Sequence, residues 1–421
     1  MRNFLIVCLL TFAYSAYYFP FVLNHFPIMN SKMFMALIGL CIFIFNRLRY
    51  RNMDIRTDLF CMILLAGIIS LWSYFSTTYN HTSDFVYVRY FMSMATWLGG
   101  AYACIMFTRF LHGIASMYLV FQYLALMCAG HCVLAIMIDN IPFVKNVVDS
   151  IFDTYPDIME QLDRIYSFGV AFDTAGIRFS AVLVGLGYLI RNDKSTKQFW
   201  IYVLLFVIIA GIGSIISRTT IVGISISLIY ILLTSSKFNL FISYRTMRWL
   251  AGFVFAVLLI GGIMTYLYQT NDTVHYYLRY GFEGFFNYFE RGEWETHSSN
   301  LLFNGFEQLP TEQKTWIIGD GYFDDPLKPG AFYMGVDMGY VRFIYYFGLI
   351  GLFIFIFFFM YCTYVLCQRD SKRRLFFIMM FICELVVWIK ITTDIFCMFA
   401  LLMLLTKEET KFENKPLKPI I

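Results

Sequence analysis

Long apolar runs constrain this chain more than any other feature. Twelve mostly apolar segments follow one another, roughly 4–23, 32–46, 58–77, 86–108, 115–138, 176–190, 198–216, 219–235, 248–268, 341–366, 375–390 and 392–406. About 20 such residues cross a bilayer as a helix, and fewer suffice where the bilayer thins. Of 421 residues, 59% are hydrophobic, 20% aromatic and 14% charged; the charged share is about half that of a soluble domain. The mean hydropathy of +0.65 comes from these runs. A soluble globular enzyme, a disordered chain and a secreted disulfide scaffold are thereby excluded. A net charge of only +4 gives no footprint for nucleic acid. The expected fold class is an all-α polytopic membrane protein, one integral membrane domain over 1–421 with about twelve spans. The last two segments share one run, Phe376 to Thr406, that contains Lys390 and Asp394. That polar pair marks a tight turn between two short spans, and eleven spans is the alternative.

The distribution of basic residues orients the spans. With the N-terminus inside, the inner segments hold 20 of the 32 basic residues, and the outer segments carry 20 of the 28 acidic ones. Short basic inner loops are what the positive-inside rule requires. An odd number of spans breaks the alternation, which supports twelve, with both termini on the cytoplasmic side. Arg2 and the apolar stretch after it read as an uncleaved first span, because no small-residue cleavage site follows. Nine of the ten cysteines fall in these segments and Cys367 directly follows one on the inner side, so no disulfide framework is expected outside. Cys128 and Cys132, one helical turn apart, read as packing residues. His131 reads as a core histidine satisfied locally.

Two long loops, 139–175 and 269–340, fall on the outer side. The first is acidic, and Ile151, Ile158, Leu162, Ile165 and Tyr166 recur at helical spacing, which predicts one or two amphipathic surface helices. Arg178 follows at the mouth of a span. Arg218, in Ser217-Arg218-Thr219, occupies a very short connection between two apolar runs. An arginine at membrane depth is costly, roughly 2.5–3.5 kcal/mol on insertion scales. Snorkelling to lipid phosphates is one reading of these two residues; an anion site within the helix bundle is the other. The second loop is far longer than an ordinary connection, which suggests function. Phe282, Phe285, Phe286 and Phe289 predict an interfacial amphipathic helix, with Arg279 and Arg291 on its flanks. His297, within a polar cluster, is a candidate proton acceptor. Asp324 and Asp325 read as a solvated turn. Asp337, Tyr340 and Arg342 lead directly into an apolar helix, a rigid place to fix chemistry. Glu384 is the main deep carboxylate.

The sequence Ile318-Gly319-Asp320-Gly321, then Asp337-x-Gly339-Tyr340-x-Arg342 and Phe347-Gly348-Leu349-Ile350-Gly351, resembles the O-antigen polymerases, the Wzy-type polysaccharide polymerases of bacteria. Ser217-Arg218-Thr219 and the place of Arg178 fit the same resemblance, which covers nearly the whole chain in topology. It implies a cytoplasmic-membrane enzyme that joins undecaprenyl-diphosphate-linked oligosaccharide repeat units on the outer side of that membrane. Its partners are then these lipid-linked glycans and the bilayer; a chain-length regulator is left open. The related O-antigen ligases commonly carry a histidine where this chain has Asp337, a departure that favours polymerase over ligase.

The chemistry of such a transfer builds charge on a departing diphosphate. Guanidinium groups stay charged and pair with phosphate in two-pronged fashion. The expected arrangement has Arg178 and Arg218 on the leaving diphosphate. Arg279, Arg291, Arg342 and Tyr340 serve in substrate binding, and His297 or Asp337 acts as the base. No cofactor and no metal is expected. The rival readings are an O-antigen ligase or O-oligosaccharyltransferase and, from another class, a lipid-glycan flippase or transporter. The absence of an apparent internal repeat argues against the transporter.

Overall fold

The computed structural model describes residues 2–50, 56–154, 159, 164–193, 195–235, 244–293, 295–296, 299–300, 305, 308–328 and 330–410. The protein is mostly helical. In order the elements are α1 (Arg2–Tyr18), β1 (Val22–Leu23), β2 (Phe26–Asn30), α2 (Ser31–Tyr50), α3 (Thr57–Tyr79), α4 (Tyr90–His112), α5 (Met117–Asn140), α6 (Pro142–Ile151), α7 (Phe172–Asn192), α8 (Thr196–Ile216), α9 (Thr220–Ser235), α10 (Tyr244–Thr270), α11 (Asp272–Gly281), α12 (Glu283–Arg291), α13 (Gln313–Ile317), α14 (Gly339–Arg369), α15 (Arg374–Val387), α16 (Phe396–Leu404) and α17 (Lys407–Thr410). Among the described residues, α2, α3, α4, α5, α7, α8 and α14 are long and apolar enough to cross a membrane, and α1 and α9 are shorter apolar helices. The chain is thus a polytopic helical membrane protein. It divides into two compact units, Met1–Ser31 with Ser116–Glu295, and Lys32–Ala115 with Thr296–Lys411.

The first unit is organised around α7, which is buried almost continuously from Ala175 to Ile190. Small residues let its neighbours reach its backbone, as helices in lipid require when no hydrophobic drive separates helix from solvent. A Cβ on Gly223 of α9 would stand 2.2 Å from the Ser180 Cα, and one on Gly187 would stand 2.2 Å from the Ser227 Oγ. The expected local satisfaction of His131 is observed. Its Nε2 lies 2.7 Å from the Ser15 hydroxyl and its Nδ1 lies 2.9 Å from that of Ser167. Among the described residues of the first long loop an amphipathic helix is present, α6, opening on Pro142 as an N-terminal proline should. Ile158 and Leu162 of the expected pattern lie outside the described residues. In the second loop, α12 is the expected aromatic helix, with Phe285, Tyr288 and Phe289 exposed.

The second unit departs from expectation in α14. The residues predict one continuous span over 341–366, but the helix breaks at Gly348 (φ 69, ψ −177). That conformation belongs essentially to glycine. The break frees carbonyls of the preceding turn, and these are all taken up within the unit. Asp320 N donates to Tyr345 O at 2.6 Å, Gly321 N to Tyr346 O at 3.1 Å, and Trp72 Nε1 of α3 to Phe347 O at 2.8 Å. The Ser76 hydroxyl donates to Tyr346 O and Ile318 O, each at 2.8 Å. Irregular backbone in an apolar surrounding survives only when its polar groups are matched in this way. Gly319-Asp320-Gly321 is therefore the plug for the broken helix. Both glycines have positive φ, 89 and 73, and Asp320 is anchored by the Thr315 hydroxyl at 2.7 Å and by Lys314 at 2.8 Å. The expected interruption near Lys390 and Asp394 is present: α15 ends at Val387 and α16 begins at Phe396. Glu384 is fully buried, and one of its oxygens accepts from Ile395 N at 3.0 Å.

Candidate functional site

In the first unit, the functional geometry starts at the N-terminus of α7. Asp173 lies in its first turn, where an acidic residue meets the positive helix end. Its Oδ1 accepts from the Ser217 hydroxyl at 3.1 Å and the Thr219 hydroxyl at 3.0 Å. The Ser180 hydroxyl donates to Thr219 O at 3.0 Å and accepts from Gly223 N at 3.2 Å. Gly176 makes the approach possible, because a Cβ there would sit 2.4 Å from the Ser217 Oγ. The Ser217-Arg218-Thr219 turn is thus pinned on both sides of its arginine to the helix that carries Arg178.

Arg218 leaves this rigid turn with 18% of its side chain exposed and forms an ion pair with Glu283 at the start of α12. Its Cζ lies 4.6 Å over the Tyr280 ring, and Arg164 lies 5.1 Å over the same ring. One phenol therefore gathers two guanidinium groups, each by attraction to its π face. Arg178 lies over Phe19 at 5.7 Å, and its backbone carbonyl accepts from the Tyr18 hydroxyl at 3.1 Å. Arg279 is turned to Glu290 in a two-pronged pair at 3.1 and 2.6 Å, both partners well exposed. Arg291 is exposed at the end of α12, next to the left-handed cap Gly292. Arg218 and Arg279 are thus each balanced by a carboxylate, Glu283 and Glu290, and any anion that met Arg218 would compete with Glu283.

In the second unit, Arg342 stands in the first turn of α14 and is 6% exposed. Its Cζ lies 4.0 Å over the Phe323 ring and 3.4 Å over the Phe332 ring. Among the described residues, its Nε and Nη2 have no hydrogen-bond partner. Asp324 and Asp337 are the carboxylates in its electrostatic surroundings. Asp84 supports the segment above it, accepting from Phe323 N at 2.7 Å and Asp324 N at 3.2 Å. Tyr340 is engaged in structure, its hydroxyl donating to Leu385 O at 2.7 Å. His297 lies outside the described residues. Among the described residues, no group of three or more His, Cys, Asp and Glu is placed to hold a metal ion.

Four participants escaped the reading of the residues as site groups: Asp173, Tyr280, Glu283 and Asp324. Each acts through a partner distant in sequence, 44 residues in the case of Asp173 and Ser217, so no local spacing announces it. Asp324 also carries a pH signature. More than a third of its surface is open, yet partial burial, then Asp84, push its carboxyl above the usual carboxylate range, against a lowering pull from Arg342. A carboxyl raised on folding stabilises the fold below its unfolded value, about 3.9, and that contribution is lost as pH rises through the folded value. Hydrogen exchange across 322–333, corrected for intrinsic rates, should therefore show protection falling as pH climbs out of the carboxylate range. Asp324→Asn should flatten that dependence; an unchanged profile would count against the assignment.

Comparison with known proteins adds no identity: no family model, no curated protein and no solved structure matches the chain.

Proposed function

We propose that this protein is a membrane glycosyltransferase that polymerises polyprenyl-diphosphate-linked oligosaccharide repeat units, in the manner of the O-antigen polymerases it resembles. The observation that carries the reading is the Arg218 turn. A guanidinium in a short connection between two apolar helices is held by Asp173 contacts on both sides, ion-paired to a displaceable carboxylate, and seated on an aromatic face. A residue that only snorkels to lipid phosphate has no use for such anchoring. The reading takes each of the twelve apolar segments as a span, with α1, α9, α10, α15 and α16 added to the seven long helices. Both termini then face the cytoplasm of a bacterium, and the two long loops lie outside.

In this mechanism the bond between the anomeric carbon and the diphosphate oxygen breaks, and a bond to the acceptor hydroxyl oxygen forms. Diphosphate is a good leaving group and needs no proton from the protein. Arg218 and Arg178 hold the charge that develops on it. One preorganised donor of this kind contributes about 3 kcal/mol. The acceptor proton passes to a base, and such a base contributes ~10²–10⁴-fold. The test is direct. Purified full-length protein in proteoliposomes, given lipid-linked repeat unit and no other acceptor, should yield a ladder of polymer lengths. A product that appears only when lipid A core or a protein acceptor is added would make it a ligase instead.

A further inference from the structure

Arg342 presents an unusual balance of groups. A buried guanidinium is normally hydrogen-bonded, and each exception calls for an explanation. Here two rings pack on the guanidinium, with centroids 4.0 and 3.4 Å from its Cζ. What is left is the side-on edge, where Nε–H and Nη2–H point the same way, and these two donors have no partner among the described residues. The side chain is 94% buried by the same measure that leaves Phe332 38% exposed. The edge is thus fixed in direction, desolvated and unused.

The surrounding charge decides what can fill it. Asp324 and Asp337 act on Arg342, and Asp84 acts on Asp324. Two carboxylates around one guanidinium disfavour an oxyanion. A neutral ligand that both accepts and donates suits the set: one oxygen accepts from the arginine edge while its hydroxyl, or the next one, donates to a carboxylate. Neighbouring hydroxyls of a sugar ring have this property, and phenyl faces beside them suit the ring's apolar edge. We propose that the Arg342 edge, with Asp324, is a binding site for a neutral sugar through a pair of neighbouring hydroxyls. This rests on the glycan-transfer reading and deepens it, since such a site would seat the sugar of an acceptor repeat unit.

Access is through the hairpin that covers the arginine. Its strands are joined by Asp325 N to Ala331 O at 2.9 Å and Tyr333 N to Phe323 O at 3.2 Å. Its tip exposes Leu327, and Met334, directly after it, is exposed at φ 57. Phe332 is 38% exposed, and outward movement of this hairpin opens a path to the guanidinium.

The test uses the full-length protein in nanodiscs and saturation-transfer NMR with methyl pyranosides as probes. Methyl glucuronoside and inorganic pyrophosphate serve as anionic comparisons. Neutral pyranosides should bind, and the anions should not compete. Arg342→Lys keeps a cation against the rings but loses the edge, and should weaken binding at least tenfold. Asp324→Asn, at an exposed position, should do the same without disturbing the helix. If wild-type protein binds no pyranoside, if the anions displace a bound pyranoside, or if both variants bind as the wild type does, the proposal is overturned. Sugar binding without polymer formation would instead reject the polymerase reading and leave the sugar site standing. Polymer formation without Arg342-dependent sugar binding would do the reverse.

Discussion

Arg218→Ala should abolish polymer extension while the protein still inserts and accumulates. The expected loss is at least ~10²-fold in turnover, the scale for removing one preorganised donor from a developing charge. Stability should change little. The turn is held by Asp173 through Ser217 and Thr219, and the ion pair with Glu283 is partly open to solvent, a setting in which such pairs contribute about 0–1 kcal/mol. Arg218→Lys should fall between, because a lysine keeps the charge but not the planar fork. Glu283→Gln supplies the opposite sign. With the competing carboxylate gone, the diphosphate no longer displaces a partner, and KM for the lipid-linked donor should drop. Polymer length and amount, read on gels from reconstituted protein, decide the matter. If Arg218→Ala and Arg178→Ala each leave both unchanged, the leaving-group role is wrong.

The second large effect is structural. Gly348→Ala should prevent the second unit from folding correctly, with a loss of more than about 3 kcal/mol. The backbone there lies in a region essentially closed to other residues, which alone costs of order 1–3 kcal/mol. The new Cβ would also stand 2.1 Å from Ile317 O and 2.3 Å from Ile317 C. These are backbone atoms and cannot swing aside. To relieve the clash, segment 317–321 must withdraw, which strips Tyr345 O of Asp320 N and leaves Tyr346 O with the Ser76 hydroxyl alone. Each buried polar group left unmatched adds roughly 1–3 kcal/mol. Gly67→Ala is the control, since a Cβ there meets nothing within 4 Å. Thermal unfolding in detergent should separate the two variants widely; equal midpoints would show that the break at Gly348 is not required.

These two residues also show where reading the residues succeeds and fails. Ser217-Arg218-Thr219 stands out because a charge between two apolar runs is conspicuous in one dimension. Its environment does not stand out: Asp173, Tyr280 and Glu283 lie 45, 62 and 65 positions away, and no periodicity links them. Gly348 is visible as part of a motif, but its meaning is not. Glycine inside an apolar run is compatible with a continuous helix, close packing or a break, and these differ only in what lies opposite. The aromatic helix α12 was legible because its pattern is local, and the interruption between α15 and α16 because Lys390 and Asp394 resist burial. Tyr340, expected to meet substrate, spends its hydroxyl on Leu385 O, a contact across two helices that no spacing foretells.

Hydropathy and charge are properties of each stretch of chain taken alone, so the residues suffice to decide which segments enter an apolar surrounding and that they do so as helices. Partnership is different. Whether Arg342 is satisfied, whether a freed carbonyl finds a donor, and which carboxylate faces which guanidinium depend on atoms brought together from distant positions. Those outcomes are settled by packing, where a few tenths of an ångström at a glycine decide whether two helices can touch. The chain thus declared its medium and its helices in advance; the ion pair on Arg218, the plug beneath Gly348 and the unused edge of Arg342 exist only once it is folded.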